Sequence, residues 1–208
     1  MLCSSHRNQL DSPLLRLPGE LRNAIYEQVL GNWDFRMVYI KNAYPQLGLY
    51  CRRAGESGRW QRLTSALATL LFVCRQIYAE ARYLLFTLNV FGGKTMWCLH
   101  KLLDRLNKDQ RQRVANVRLV LSRHNMVWGE KAEVVGPRLV TADDARPVFQ
   151  GAHGLRRVVV AWTGRTRTDW ATLRESLHAC VRSGMYGALK GSVEVRVVRT
   201  RSAEDAAP

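Results

Sequence analysis

The stretch LLFVCRQIYAEARYLLF, residues 70–86, places a thiol, Cys74, directly beside Arg75, with Arg82 following. A cysteine next to a guanidinium is the beginning of a nucleophile, because nearby positive charge favours the thiolate. Neighbouring residues of a helix point about 100° apart, however, so Arg75 turns away from a cysteine that lies in an apolar row. Nothing around it assembles a nucleophile, a base and an orienting group. A second candidate, GGKT at 92–95, resembles the end of a phosphate-binding loop. That loop needs a glycine five places before Gly93, and Leu88 stands there. His6, His100, His124, His153 and His178 show no spacing that sets two on one helical face. Cys3, Cys51, Cys74, Cys98 and Cys180 are scattered and odd in number, which suits neither a disulfide framework nor a zinc site. There is no G-x-S-x-G elbow, and Asp143-Asp144 lies where it complements a helix dipole. The expectation is a protein with no catalytic residue, no metal site and no cofactor, and so not an enzyme.

Charge raises a different chemistry. The chain of 208 residues carries 32 basic and 17 acidic side chains, a net +15. Such a surface attracts polyanions. The excess is spread along the sequence, without a polybasic arm. RRAGESGRWQR and AWTGRTRTDW do interleave aromatic and basic residues, so Trp60, Trp162 or Trp170 could stack on bases between arginines. Trp162 at a strand end and Trp170 at a helix start fit core packing better. Nucleic acid is the alternative partner, through the arginine-rich surface.

These residues have to be positioned by a chain that is 47% hydrophobic, enough for a real core. No apolar run is long enough for a membrane span, and MLCSSHRNQLDSP lacks the plan of a signal peptide. An intracellular, cytoplasmic or nuclear protein without a membrane partner is expected. The first helix is LPGELRNAIYEQVLG, with Pro18 in its first turn, Gly31 as its stop, and Leu21, Ala24, Ile25 and Val29 along one face. Residues 35–52 alternate as two strands around the turn KNAYPQ. One helix is expected from Ser65 to Leu85, with Leu67, Leu70, Leu71, Cys74, Ile77, Tyr78, Ala81 and Leu85 as its buried stripe. A strand then ends at Gly92-Gly93. Three helix–strand units follow, with strands at 114–122, 155–162 and 192–200. Thr141 or Asp143 and Thr168 or Asp169 are the caps of the later helices. Helices alternating with apolar strands imply right-handed crossovers and a small parallel sheet.

Two segments together resemble a known pattern. Leu17, Pro18, Glu20, Leu21, Arg22, Ile25 and Tyr26 form its first half; Cys74, Arg75, Gln76, Ile77, Glu80, Ala81, Asn89 and Phe91 form its second. The pair is similar to the F-box-like domain of many uncharacterised fungal proteins. A leucine-proline-x-glutamate-leucine-arginine helix there precedes a CRQI-x-x-EA helix and an N-x-F strand. The resemblance covers roughly the first 92 residues, and here a predicted hairpin is inserted between the two helices. It implies a protein-interaction module, a substrate-recruiting adaptor of a cullin-type ubiquitin ligase, whose partner is the ligase's adaptor subunit.

The expected fold is α+β. F-box-like helices with a hairpin insertion at about 35–52 occupy residues 1–92. An αβ region with a small parallel sheet, similar to degenerate leucine-rich repeats, occupies 93–200, and 201–208 form a disordered tail. The expected partner-binding surface is Leu14, Leu15, Leu17, Pro18, Leu21, Ile25 and Tyr26. A salt bridge from Arg75 to Glu20 or Glu27 is expected to join the two helices.

Overall fold

Extended segments with apolar residues at every second position build the sheet, and the helices cover the face those residues share. The computed structural model describes residues 12–40, 46–55, 59–63, 65–93, 95–122, 149–163, 170–185 and 193–200. The expected turn at 41–45, the caps Thr141, Asp143, Thr168 and Asp169, and the tail 201–208 lie outside them.

The architecture is α+β, a mixed seven-stranded sheet with several helices. Helix α1 (Gly19–Leu30) comes first, then β1 (Trp33–Ile40), β2 (Gln46–Arg53) and the short β3 (Gln61–Arg62). A 3-10 helix (Ser65–Phe72), α2 (Arg75–Ala81) and α3 (Leu84–Thr87) lead into β4 (Val90–Gly93). The chain continues through α4 (Met96–Asp104), α5 (Lys108–Arg113), β5 (Asn116–Ser122), β6 (Arg157–Thr163), α6 (Trp170–Met185) and β7 (Glu194–Thr200). The strand order is β3-β2-β1-β4-β5-β6-β7. β1 and β2 form the expected hairpin, Phe35 opposite Cys51, and β3 adds antiparallel to β2. From β1 through β4, β5, β6 and β7 every pairing is parallel. The hairpin thus belongs to the same sheet as the later strands, with β1 beside β4.

Phe35, Met37, Phe91, Val117, Leu119, Val158, Val160 and Trp162 point to the covered face, where Met96, Leu99, Leu102 and Leu103 of α4 and Leu177 and Val181 of α6 meet them. Trp162 is therefore core. The opposite face of β1 and β2 is polar: Asp34, buried, accepts from Arg118 at 3.1 Å and lies 3.7 Å from Arg52. No helix among the described residues is long and apolar enough to cross a membrane.

Three expectations are corrected. The single helix from Ser65 to Leu85 is three pieces, broken at Val73 and Cys74, where Cys74 takes an extended φ of −157° and ψ of 163° and precedes α2. Apolar spacing alone cannot tell one helix from two segments whose inner faces stay in line. Tyr78, expected inside, is 46% exposed. Pro18 stands one place before the helix proper, at the cap position, where Arg22 donates its backbone N–H to the Pro18 carbonyl at 3.1 Å.

GGKT has a structural reason. Thr95 caps α4, its hydroxyl accepting the backbone N–H of Cys98 at 3.1 Å. A Cβ on Gly93 would lie 2.5 Å from the Leu99 backbone nitrogen and 2.6 Å from the Thr95 carbonyl oxygen. The glycine lets the end of β4 lie against the first turn of α4.

Candidate functional site

Helix α1, GELRNAIYEQVL, carries two rows at four-residue spacing: Leu21, Ile25 and Val29, and, one position on, Arg22, Tyr26 and Leu30. The rows lie about 100° apart, so a helix resting on one side can bury only one of them fully. The second row is turned inward. Tyr26 and Leu30 are fully buried beside Leu15, Ile77 and Ala81 in a small core of their own, with Leu14, Leu70, Leu71, Cys74 and Leu84 packed around it. Leu21, Ile25 and Val29 face outward, 53%, 37% and 43% exposed, and Ala24 is exposed with them. This row is the outer face of the helix.

Hydrogen bonding decides this orientation, since burial of an arginine is tolerated only when its charge is met. Arg22 enters because Glu80 of α2 receives it in a fork, Nε to Oε2 at 3.0 Å and Nη2 to Oε1 at 2.8 Å. Its remaining Nη1 donates to the Leu17 carbonyl at 2.6 Å. The Tyr26 hydroxyl donates to the same carboxylate at 2.9 Å, and Gln76 Nε2 donates to it at 3.1 Å. The ion pair between the helices is therefore Arg22 to Glu80, not Arg75 to Glu20 or Glu27. Arg75 is exposed at the first position of α2, whereas Gln76, Ile77 and Glu80 face α1.

Glu80 is held below the usual carboxylate range, first by the Arg22 hydrogen bond, with Gln76 and Tyr26 adding to it. Tyr26 is pushed up to about 12, by burial first and then by its bond to Glu80. A depressed carboxylate contributes stability that is present above its unfolded value and lost as pH falls toward the folded one. A raised phenol contributes stability present below about pH 10 and lost as pH rises toward 12. Burial also raises the Cys51 thiol, whose contribution is lost above its ordinary value near 9, so urea midpoints are expected to be flat from about pH 5 to 9 and to fall on both sides. Glu80→Gln should flatten the acid limb. An acid limb identical in wild type and variant would show that Glu80 carries none of it.

Asn89 joins this helical layer to the sheet. Fully buried, it donates from Nδ2 to the carbonyls of Leu30 at 2.6 Å and Leu85 at 2.8 Å, and its Oδ1 accepts the Trp33 backbone N–H at 2.8 Å. One side chain thus closes the ends of α1 and α3 and the start of β1. Gly31 is extended there, and the left-handed residue of the turn is Asn32, at φ 60°.

Of the expected surface, Leu21, Ile25 and Pro18 are exposed, and Leu14 and Leu17 are half-buried. Leu15 and Tyr26 are buried and so take no part in a surface: Tyr26 is committed to Glu80, and Leu15 to the small core. Val29 extends the exposed row, and Phe72 and Val73, 77% and 63% exposed, crown the break before α2. The four-residue spacing of Leu21, Ile25 and Val29 was the signal for the row; the break at Val73 had none in residue type. Trp60 is buried with the guanidinium groups of Arg36 and Arg52 at 4.2 and 4.5 Å from its ring centre, so its ring is packed and not presented to a base.

A family model described as a domain of unknown function, DUF7730, matches residues 7–183. The chain belongs to this family. The DUF7730 match takes in α1, the exposed row, the Arg22–Glu80 fork, Asn89 and every strand except β7. No curated protein and no solved structure matches the chain. What the DUF7730 domain does has therefore to be argued from its surfaces.

Proposed function

We propose that this chain is a non-enzymatic, intracellular protein-interaction module, F-box-like in its N-terminal helices, that docks an adaptor subunit of a cullin-type ubiquitin ligase. The outward row of α1 carries the reading. Single exposed apolar residues are ordinary on a protein surface. Three at four-residue spacing, on a helix whose other face is fixed by Tyr26, Leu30 and the Glu80 fork, present the anchors of a helix laid in a groove. Two further supports are the leucine-proline opening of that helix and the CRQI-x-x-EA pattern, which places Glu80 opposite Arg22. The parallel strands β4 to β7, similar in layout to degenerate leucine-rich repeats, are the part left to hold a substrate.

The test is calorimetry of the full chain against a purified ligase adaptor subunit. Leu21→Glu with Ile25→Glu is expected to weaken binding about 30-fold or more, because two apolar anchors are lost. The thermal midpoint should stay, since both residues point outward. Wild-type binding weaker than about 100 μM, or a double variant that binds as well as wild type, would sink the reading.

A further inference from the structure

We propose that the open edge of β7, with the groove between it and α6, takes an acidic peptide in extended conformation as an eighth strand. β7 is last in the sheet and, among the described residues, pairs only with β6, while the opposite edge is the two-residue β3. The backbone N–H of Glu194 donates to the Arg156 carbonyl, toward β6. Backbone groups alternate sides along a strand, so those of Val195, Val197 and Arg199 point out from the sheet. They are donors and acceptors at the spacing a further strand requires.

A groove of about 560 Å³ runs beside that edge, with Arg174, Glu175 and His178 of α6 facing Val195, Val197 and Val198 of β7. Val195 and Val197 rest on the core and Val198 is exposed, so alternate side chains of an added strand meet apolar ground on either face of β7. The charge around it selects the occupant. Glu194 is already taken by Arg157 and Arg196. Arg174, Arg196 and His178 line the groove with one carboxylate, Glu175; Arg174 and Arg199 have no carboxylate partner among the described residues, and Arg199 lies 5.9 Å from the ring centre of Trp170. A second copy of the chain would bring the same arginines and another net +15 to this edge. An acidic strand brings the complementary sign. The site is separate from α1, and its failure leaves the adaptor reading untouched.

The experiment is fluorescence anisotropy of a labelled eight-residue peptide alternating Glu and Val, titrated with the full chain. The same peptide with Lys for Glu and a single-stranded oligonucleotide of equal charge run beside it. The acidic peptide is expected to saturate and to slow amide exchange at Val195, Val197 and Arg199. Val197→Pro, which removes one outward N–H and none to β6, should weaken it about fivefold. Arg174→Glu, on the exposed side of α6, should do the same without changing the thermal midpoint. The proposal is overturned if both peptides bind alike, if the oligonucleotide binds more tightly, or if β7 exchange is unchanged. Dimerisation that Val197→Pro abolishes would also overturn it, giving the edge to a second copy.

Discussion

Replacing Asn89 with leucine is expected to destabilise the fold by about 3 kcal/mol, because three backbone groups, one buried and two part-buried, lose their partner at once. For a chain of this size that corresponds to a fall of about 8 °C in the thermal midpoint. Leucine keeps asparagine's branching but is bulkier, so overpacking at this fully buried position adds to the loss. The Leu30 carbonyl is buried and finds no replacement, and the Leu85 carbonyl and the Trp33 N–H are part-buried. Asn89→Asp keeps the acceptor for Trp33 and sets a carboxylate against two carbonyl oxygens. It should be at least as damaging at neutral pH and should recover in part as pH is lowered, when protonation restores one donor. Thermal and urea unfolding of the two variants checks this. A leucine variant within about 0.5 kcal/mol of wild type would mean that Asn89 does not hold the layers together.

Gly93→Ala is expected to cost about 3 kcal/mol, for a different reason. The new methyl would stand 2.5 and 2.6 Å from two backbone atoms of the α4 start, and backbone cannot step aside as a side chain can. Gly55 is the contrast: at φ +81° it has nothing within 4 Å of an added Cβ. Alanine there strains only the backbone and should cost about 1 kcal/mol. The rank order, Gly93 well above Gly55, is read from urea midpoints. The reverse order would show that β4 and α4 do not approach as described. The same geometry explains why Gly92-Gly93 stands beside a lysine and a threonine without being a phosphate loop. The glycine admits a helix, and the threonine caps it.

Asn89 and Glu80 bear on the proposed function through the helix they hold in place. α1 presents Leu21, Ile25 and Val29 only because Arg22 and Tyr26 are tied to Glu80 and the helix end is tied by Asn89. On the proposed adaptor reading, variants of Asn89 or Glu80 should lower binding and stability together, whereas Leu21→Glu with Ile25→Glu should lower binding alone.

Much of the chain could be read without coordinates. Alternation in MVYI and LGLYC, a helix over TMWCLHKLLDRLN (helical in the structure from Met96 to Asp104), and the strands near 119, 158 and 196 all follow from the period of side chains along one element. Such signals are local, and they carry into the structure intact. The two-part pattern likewise named Arg22, Gln76, Glu80 and Asn89 as residues that matter, though not what they touch. That Arg22 meets Glu80, 58 residues away, is a fact about two helices in space.

Three things were left to the tertiary structure. The first is the face of α1: Leu21-Ile25-Val29 and Tyr26-Leu30 both offer apolar rows, and the row that also carries Arg22 is the one Glu80 can satisfy. The second is the break at Val73 and Cys74, which no proline or glycine marks in the sequence. The third is strand order, which sets the hairpin beside β4 and, among the described residues, leaves β7 at the edge. The first and the third depend on which partner satisfies a buried polar group or a sheet edge, and that partner lies far along the chain. Periodicity determines which side of an element is apolar; only long-range packing decides what that side meets.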